Sequence, residues 1–185
     1  MYIKKLIGTQ CYLAPLNIDD AEQYAVWLND MEVTENLQLI SSIIPVDGER
    51  ELLKKLAQDH NYGIIDKKTN ELIGNVGFID INHLHRTAEI GIFIGNKSYW
   101  GKGYGQEALS LLLDYAFKKL NLHNILLRVY DFNRRAVACY EKVGFKKIGE
   151  IRDGLTRNME YPNIILMDIL PADFYEANPQ YKVEK

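Results

Sequence analysis

Seven segments of the chain are rich in Ile, Val, Leu and Phe and are bounded by turn-like residues, a pattern that predicts β-strands. In chain order they are CYLAPL (11–16), NYGIID (61–66), ELIGNVGFIDI (71–81), TAEIGIFIG (87–95), ILLRVYDF (125–132), FKKIGEIRD (145–153) and NIILMDIL (163–170). KKTN and the longer NHLHR separate the second, third and fourth segments, so we expect three antiparallel strands joined by hairpins. The polar stretch RDGLTRNMEYPN (152–163) predicts a hairpin between the last two strands.

Apolar residues recur at helical spacing in four other segments. These are DAEQYAVWLND (20–30), with Ala21, Tyr24, Ala25 and Leu28 on one face; GERELLKKLAQDH (48–60), with Leu52, Leu53 and Leu56; YGQEALSLLLDYAFKKLNL (104–122); and NRRAVACYEKVGF (133–145). Asn133 is a typical helix N-cap, and Gly144 stands where a left-handed terminator is expected. The pattern predicts an α/β chain of the α+β type, with a mixed, mainly antiparallel sheet in one domain over residues 1–185.

Composition and charge narrow the class of protein. Apolar residues make up 47% of the chain, enough for a core, and the net charge of −3 argues against a nucleic-acid-binding surface. No apolar run approaches the ~20 residues of a membrane helix, and MYIKKLIGTQ lacks the apolar core of a signal peptide. Cys11 and Cys139 make no disulfide framework and are expected to be small buried residues. We therefore expect a cytoplasmic chain without nucleic-acid or membrane partners.

The segment YWGKGYGQEA (99–108) places Gly101, Gly103 and Gly105 at alternate positions directly before an apolar helical pattern. Glycines let several backbone N–H groups point at one anion, and a helix N-terminus favours negative charge. Lys102 adds a cation. This glycine loop, residues 101–106, is therefore either a diphosphate-binding site or a tight strand-to-helix turn without a ligand.

Two other phosphate-binding motifs are excluded. A Walker loop needs Gly-Lys-Ser/Thr after a longer glycine spacing, which Gly101-Lys102-Gly103 does not supply. The dinucleotide fingerprint needs a third glycine three residues after the second, where Gln106 stands. That fingerprint also needs a parallel βαβ unit, whereas the strands before this loop are predicted to be hairpins.

Residues from about 72 to 148 resemble the GCN5-related N-acetyltransferase (GNAT) superfamily. The pyrophosphate loop of that family, Gln/Arg-x-x-Gly-x-Gly/Ala, is matched by Trp100 to Gly105, with Trp100 in place of the usual Gln or Arg. Asn133 to Phe145 matches a second pattern, Asn-x-x-Ala-x-x-x-Tyr-x-x-x-Gly-Phe. YWGKGYG followed by EAL, the opening LAPLNIDDAEQYAVWLND and the ending YPNIILMDIL are similar to the branch that acetylates ribosomal-protein N-termini (RimJ/RimL-like).

The resemblance implies a GNAT fold with six to seven strands, about four helices and a splay between the fourth and fifth predicted strands. It implies binding of acetyl-CoA without a metal, and acetyl transfer to an amine. Main-chain groups of the fourth strand would pair with the pantetheine arm, and a bulge there would account for Gly91 and Gly95. The implied cofactor-binding residues are Phe93, Ile94, Trp100, Gly101, Lys102, Gly103, Tyr104, Gly105, Gln106, Asn133, Ala136 and Tyr140.

Two residues are candidates for the chemistry itself. Tyr140, where the family places its acid, would protonate the departing thiolate, because a phenol stays protonated at neutral pH. Spacing alone also fits a core aromatic beside Ala136 and Val143. Glu89, where the family sometimes places a carboxylate, would accept the proton of the amine directly or through water. Its alternative is a structural or solvent-facing glutamate.

The sequence also suggests structural roles for several other residues. Asn133 could cap its helix, lie beside the cofactor, or do both. Glu107 is expected to complement the helix dipole, although it lies close to the expected phosphates. His83 and His85 are predicted at an exposed hairpin tip rather than in a metal site, because no carboxylate or cysteine partner is nearby. Three aromatics are predicted to pack in the core, although the first helices of the family often border the acceptor site: Tyr24, Trp27 and Tyr62.

The residues leave the acceptor open among a protein α-amino group, a polyamine, an aminoglycoside and another small amine. Our main hypothesis is an acetyl-CoA-dependent N-acetyltransferase that transfers the acetyl group directly within a ternary complex. The alternative is a non-catalytic acyl-CoA-binding or sensing module of the same fold. Formation of a homodimer is also left open.

Overall fold

The structure is a computed structural model that describes residues 2–37 and 42–182. Its strands are β1 (Leu6–Ile7), β2 (Cys11–Pro15), β3 (Asn61–Asp66), β4 (Leu72–Asn82), β5 (Thr87–Ile94), β6 (Asn124–Tyr130), β7 (Lys146–Ile151) and β8 (Ile164–Ile169). Its helices are α1 (Ala21–Leu28), α2 (Met31–Thr34), α3 (Val46–Leu56), α4 (Tyr104–Lys118), α5 (Arg134–Val143) and α6 (Pro171–Ala177). Three 3-10 turns lie at Ile18–Asp20, Lys97–Tyr99 and Pro179–Tyr181.

The chain divides into two compact units, each made of two segments. The first unit comprises Met1–Phe78 and Ile92–Leu111, and the second comprises Ile79–Gly91 and Leu112–Lys185. Strands β4 and β5 and helix α4 therefore contribute residues to both units.

In the first unit, β1 to β4 form successive antiparallel pairs. Because β3 is buried along its whole length, its sequence is apolar rather than alternating. Helices α1 and α3 supply apolar side chains to the core of this unit, which also holds the partly buried Phe93 and Trp100. The buried members of the core are Tyr12, Ala14, Leu16, Ala21, Tyr24, Trp27, Val33, Leu53, Ile65 and Leu72.

In the second unit, β5 and β6 run parallel, with Thr87–Glu89 opposite Asn124–Leu126. β6 then pairs with β8, and β8 with β7, in antiparallel fashion. The parallel pairing stops at Glu89, although β6 continues to Tyr130. The implied splay between the fourth and fifth predicted strands stays a prediction.

The mixed, mainly antiparallel α/β fold is confirmed, with three differences in detail. Among the described residues there are eight strands rather than six to seven, because the two-residue β1 has no periodic sequence signal. There are six helices rather than about four, since α2 and α6 also form. Leu52, predicted on the buried face of α3, is 44% exposed, whereas Leu53 is buried. Among the described residues, no helix is both long and apolar enough to span a bilayer.

Candidate functional site

The glycine loop ends at the start of α4, within the first unit. Gly101 and Gly103 have φ angles of +70° and +88°, in the left-handed region that side chains disfavour. The carbonyl of Gly103 accepts the first helical hydrogen bond, from the N–H of Glu107. Gly105 lies in the first helical turn. Two of the three glycines are therefore required by the backbone conformation of the loop itself.

The backbone N–H groups of residues 101 to 106 make no hydrogen bond to any residue that the structure describes. Residues 101–103 are exposed, and residues 104–106 are half-buried. Lys102 forms no ion pair in the described part of the chain. The loop thus offers several unpaired donors and one cation at the positive end of a helix, which is the chemistry of an anion site.

Tyr99 and Tyr104, which stand before and within the loop segment in the sequence, anchor it through their hydroxyl groups. The hydroxyl of Tyr104 donates to Asp66 at 2.8 Å, and that of Tyr99 donates to Glu71 at 3.0 Å. The two rings meet edge to face with centroids 5.0 Å apart. Burial and the bond to Asp66 raise the pKa of Tyr104 to about 12. The Tyr104 side chain is therefore engaged in holding the loop, and its free N–H is the group left to face an anion.

Trp100 links the loop to the end of β5. Its indole N–H donates to the carbonyl oxygen of Ile94 at 2.7 Å, and its ring packs against the core of the first unit. A Gln or Arg side chain at this position could not fill the same apolar space. Trp100 thus has a structural reason to stand where the family pattern has a polar residue.

Phe93 and Gly95 are placed by aromatic packing. The ring of Phe93 lies edge to face against Tyr24 and Trp27, with centroids 6.0 and 6.4 Å away. A Cβ atom on Gly95 would lie 2.1 Å from Trp27, so only glycine fits beside that indole. Tyr24, Trp27 and Tyr62 are buried, which confirms the packing role predicted for them. Close approach of Trp27 therefore accounts for Gly95, which lies just beyond the end of β5.

Glu107 has a role that the sequence did not indicate. Its carboxylate accepts hydrogen bonds from the backbone N–H groups of Thr9, Gln10 and Cys11, at 2.6, 2.9 and 2.8 Å. Burial alone would raise the pKa of Glu107, but these donors lower it below its ordinary value. Glu107 was expected to complement the dipole of α4, and in addition it links the start of this helix to the turn between β1 and β2. No sequence signal could have found it, because the donors lie almost a hundred residues away.

In the second unit, Asn133 caps α5. Its side-chain oxygen accepts from the N–H of Ala136 at 3.1 Å, which confirms the capping interpretation. The helix ends at Gly144, whose φ of +114° confirms the predicted left-handed terminator. The N–H groups of Gly144 and Phe145 both donate to the carbonyl of Tyr140. The second family pattern therefore corresponds to one helix with both of its ends capped.

Tyr140 is half-buried on α5, and its ring lies 6.0 Å from that of Phe145. Its hydroxyl makes no hydrogen bond within the described residues. Burial, with a smaller effect of the neighbouring Cys139, raises its pKa above the ordinary value for a phenol. Tyr140 therefore carries its proton at neutral pH, as a general acid must. Cys139 is half-buried rather than fully buried, whereas Cys11 is buried as predicted.

Glu89 on β5 forms a two-point ion pair with Arg128 on β6, inside the second unit. The Nε–Oε1 distance is 3.1 Å and the Nη2–Oε2 distance is 3.2 Å. The Glu89 side chain is 25% exposed and that of Arg128 is 51% exposed. Arg128 was not singled out from the sequence, because its partner lies on a neighbouring strand. The assignment of Glu89 as a base stays a prediction.

The histidines of the NHLHR turn lie in exposed positions between β4 and β5. His83 and His85 are both exposed, and the N–H of His85 donates to the side chain of Asn82. Over residues 2–37 and 42–182, no three His, Cys, Asp or Glu side chains are grouped so as to hold a metal ion.

Comparison with known proteins connects this geometry to a family. Residues 10–146 match the model of the acetyltransferase (GNAT) domain. An uncharacterized N-acetyltransferase, p20 of Bacillus licheniformis, is 32% identical over 76% of this chain and 82% of its own length. The spermidine N(1)-acetyltransferase of Vibrio cholerae is 36% identical over 60% of this chain and 64% of its own length.

A solved structure has the same fold over nearly the whole length of both chains. The spermidine N-acetyltransferase from Vibrio cholerae, in complex with CoA and spermine, is similar with a TM-score of 0.80 and 29% identity. The match covers 90% of this chain and 99% of that one. These relatives support the family but not the ribosomal-protein branch that the sequence resembled. The chain belongs to the GNAT acetyltransferase family, whose members transfer the acetyl group of acetyl-CoA to amines.

Proposed function

We propose that this chain transfers the acetyl group of acetyl-CoA directly to a primary amine in a ternary complex, with the glycine loop binding the pyrophosphate. The observation that carries this proposal is the set of backbone N–H groups over residues 101–106 that no described residue accepts from. Those donors, two positive-φ glycines and Lys102 together favour an anion. Lys102, Gly105 and Gln106 then contact the phosphates, and Phe93 and Ile94 offer main-chain groups to the pantetheine arm.

Direct transfer requires two proton movements. The nitrogen of a neutral amine attacks the thioester carbon, the C–N bond forms, the C–S bond breaks, and the CoA thiolate leaves. Tyr140 gives its proton to that thiolate, since its hydroxyl is protonated at neutral pH and makes no hydrogen bond to a described residue, so that it is available to donate. Asn133 and Ala136 hold the start of the helix that carries Tyr140.

The nitrogen loses its extra proton to Glu89, directly or through a water molecule. An ionised carboxylate can accept this proton, but protonation would weaken its ion pair with Arg128. By either route the proton reaches Glu89, and its later release to solvent restores the ionised carboxylate and its ion pair with Arg128.

For the acceptor, we propose a small polyamine-type cation. Between Lys5 and Arg50 the sequence has eight Asp or Glu residues and no Lys or Arg. Lys97 offsets Asp30 and Glu32 through ion pairs of 2.7 and 2.8 Å, but Asp19 and Glu22 form no ion pair with a described residue. Glu49 is buried, whereas the other seven acidic residues lie at exposed or half-buried positions, and this excess of negative charge favours a polycation. The named activity of the spermidine acetyltransferase relatives supports the same class.

Two alternatives remain distinct from this proposal. A ribosomal-protein N-terminus is the acceptor expected from the branch resemblance. A non-catalytic acyl-CoA-binding module would keep the fold and the glycine loop without turnover. We also propose a cytoplasmic location, because the free thiols of Cys11 and Cys139 suit a reducing compartment.

An acceptor panel separates these functions. Thiol release from acetyl-CoA would be followed with spermidine, spermine, an aminoglycoside and short peptides with free N-termini, and products would be identified by mass. We expect saturable release with the polyamines and little with the peptides. Turnover of a peptide alone would replace the polyamine assignment with the N-terminal one. Tight CoA binding without release for any amine would favour the binding module.

A further inference from the structure

The turn between β1 and β2 is closed around the Glu107 carboxylate. A Cβ atom on Gly8 would lie 2.7 Å from the Cδ of Glu107, so a side chain there would displace the carboxylate. The N–H groups of Thr9, Gln10 and Cys11 then converge on its two oxygens. Three N–H groups donate to one partly buried carboxylate, and these charge-assisted bonds fix the turn in place. Ordering the turn in this way costs conformational entropy on folding.

The same turn brings a side chain to the glycine loop. A Cβ atom on Gly103 would lie 3.4 Å from the Nε2 of Gln10, which places this amide directly beside the loop. The Gln10 side chain makes no hydrogen bond to any described residue. An amide N–H₂ group offers two donors, which suits a neighbouring phosphate oxygen.

Glu107 presents an apparent conflict of charge. It lies in the first turn of α4, next to the N–H groups proposed to bind a pyrophosphate, and an unpaired carboxylate there would repel that anion. Its charge is instead shared with three N–H donors, which hold its pKa below the ordinary value. The contacts of Glu107 therefore indicate a structural role at this position, which is to hold the turn between β1 and β2 in place.

We propose that Glu107 is a positioning residue for cofactor binding, which holds Gln10 beside Gly103 so that the Gln10 amide donates to the pyrophosphate of CoA. The proposal rests on the proposed function of the glycine loop and adds to it a donor from the turn between β1 and β2. Gln10 is the contact to the ligand, and Glu107 acts through it.

The substitution Glu107→Gln distinguishes positioning from simple electrostatics by the sign of its effect. Removing a negative charge near a phosphate site would by itself tighten the binding of CoA. Replacing one of the two acceptor oxygens with an N–H₂ group, which cannot accept from a backbone N–H, would instead loosen the turn and weaken the binding of CoA. We expect the Kd of CoA to rise about 5- to 20-fold in Glu107→Gln, and about 3- to 10-fold in Gln10→Ala, which is the size of effect expected for the loss of about one ordinary hydrogen bond.

A double-mutant cycle tests whether Glu107 acts through Gln10. Calorimetry would give the Kd of CoA for the wild type, Glu107→Gln, Gln10→Ala and the double variant. If positioning is the mechanism, Glu107→Gln costs no more than about 3-fold once Gln10 is Ala, because the two losses are coupled. With a working acceptor, both variants should raise the KM for acetyl-CoA and leave kcat within about 2-fold.

A matched control makes the same chemical change elsewhere. Glu51→Gln alters an exposed glutamate of α3 whose ion pair within the described residues is with Lys54, and it should leave CoA binding unchanged. Wild-type affinity in Gln10→Ala, tighter binding in Glu107→Gln, or fully additive effects would each overturn the inference while leaving the proposed function standing. Failure of the wild type to bind CoA would overturn the proposed function, and this inference with it. If Glu107→Gln does not fold, Gln10→Ala still decides the role of the amide.

Discussion

The indole N–H of Trp100 donates to the carbonyl oxygen of Ile94, and this single bond ties the segment that enters the glycine loop to the last residue of β5. We predict that Trp100→Phe lowers the free energy of unfolding by about 1 kcal/mol, the net value of one neutral hydrogen bond. The phenyl ring keeps most of the packing, so the change isolates the N–H group. Urea denaturation measures the stability, and calorimetry with CoA measures the effect on binding.

Trp27→Phe serves as the matched control for the loss of indole atoms. Trp27 lies in the same unit, and its N–H makes no hydrogen bond to any described residue. We expect CoA affinity to fall a few-fold in Trp100→Phe and to stay close to wild type in Trp27→Phe. Equal CoA affinities in the wild type and Trp100→Phe would show that the tie to Ile94 does not organise the loop.

Gly101 provides a test of the loop conformation. Its φ is +70°, yet no atom lies within 4 Å of a Cβ placed on it, so Gly101→Ala changes backbone strain without a steric clash. We predict a loss of about 1 kcal/mol in stability, because the left-handed region is unfavourable for alanine. Weaker CoA binding should accompany this loss. Gly149→Ala also has open space, at an ordinary φ, and should show neither effect.

Gly95→Ala should be more costly, for a different reason. The added methyl group would overlap Trp27 at 2.1 Å, and the indole is held between Tyr24 and Phe93. We predict a loss of about 2–3 kcal/mol, typical of overpacking in a rigid core. The melting temperature would show it, and Trp27→Leu in the same chain should recover part of the loss. A Gly95→Ala protein with wild-type stability would mean that Trp27 moves freely.

Tyr140→Phe tests the proposed acid. The hydroxyl has no hydrogen-bond partner among the described residues, so its removal should change stability by well under about 1 kcal/mol. We predict that kcat falls about 100-fold or more, in the range of a lost general acid, while the Kd of CoA changes little. Tyr161→Phe, at an exposed position, is the control. Unchanged turnover with a good acceptor would remove Tyr140 from the chemistry.

The lowered pKa of Glu107 also leads to a prediction of how the free energy of unfolding depends on pH. Its pKa is lower in the folded protein than the 4.5 of a free glutamate, so the unfolded chain binds its proton first as the pH falls. The stability that Glu107 contributes is therefore complete above about pH 4.5 and is lost as the pH falls through its folded pKa. Urea denaturation at pH 6 and near pH 3.5 should show a smaller acid-induced loss in Glu107→Gln than in the wild type. Equal losses would contradict the prediction.

The sequence predicted the periodic elements well and the contacts between distant segments poorly. β2 and β3 lie within one residue of their predicted bounds because apolar runs and turn residues mark them locally. β1 and α2 were missed because two and four residues are too few to show a period. The glycine loop could be found from its residue types, whereas the partners of Trp100 and Glu107 depend on the folded arrangement.

The three hydrogen bonds to Glu107 join positions 96 to 98 residues apart in the chain. The turn between β1 and β2 is therefore held to α4 by contacts of long sequence separation, and such contacts form slowly during folding. The proposed cofactor loop thus depends on residues 8–10, which none of the sequence motifs includes. An expression clone trimmed to start at Cys11 would keep every family motif and lose the turn beneath the loop.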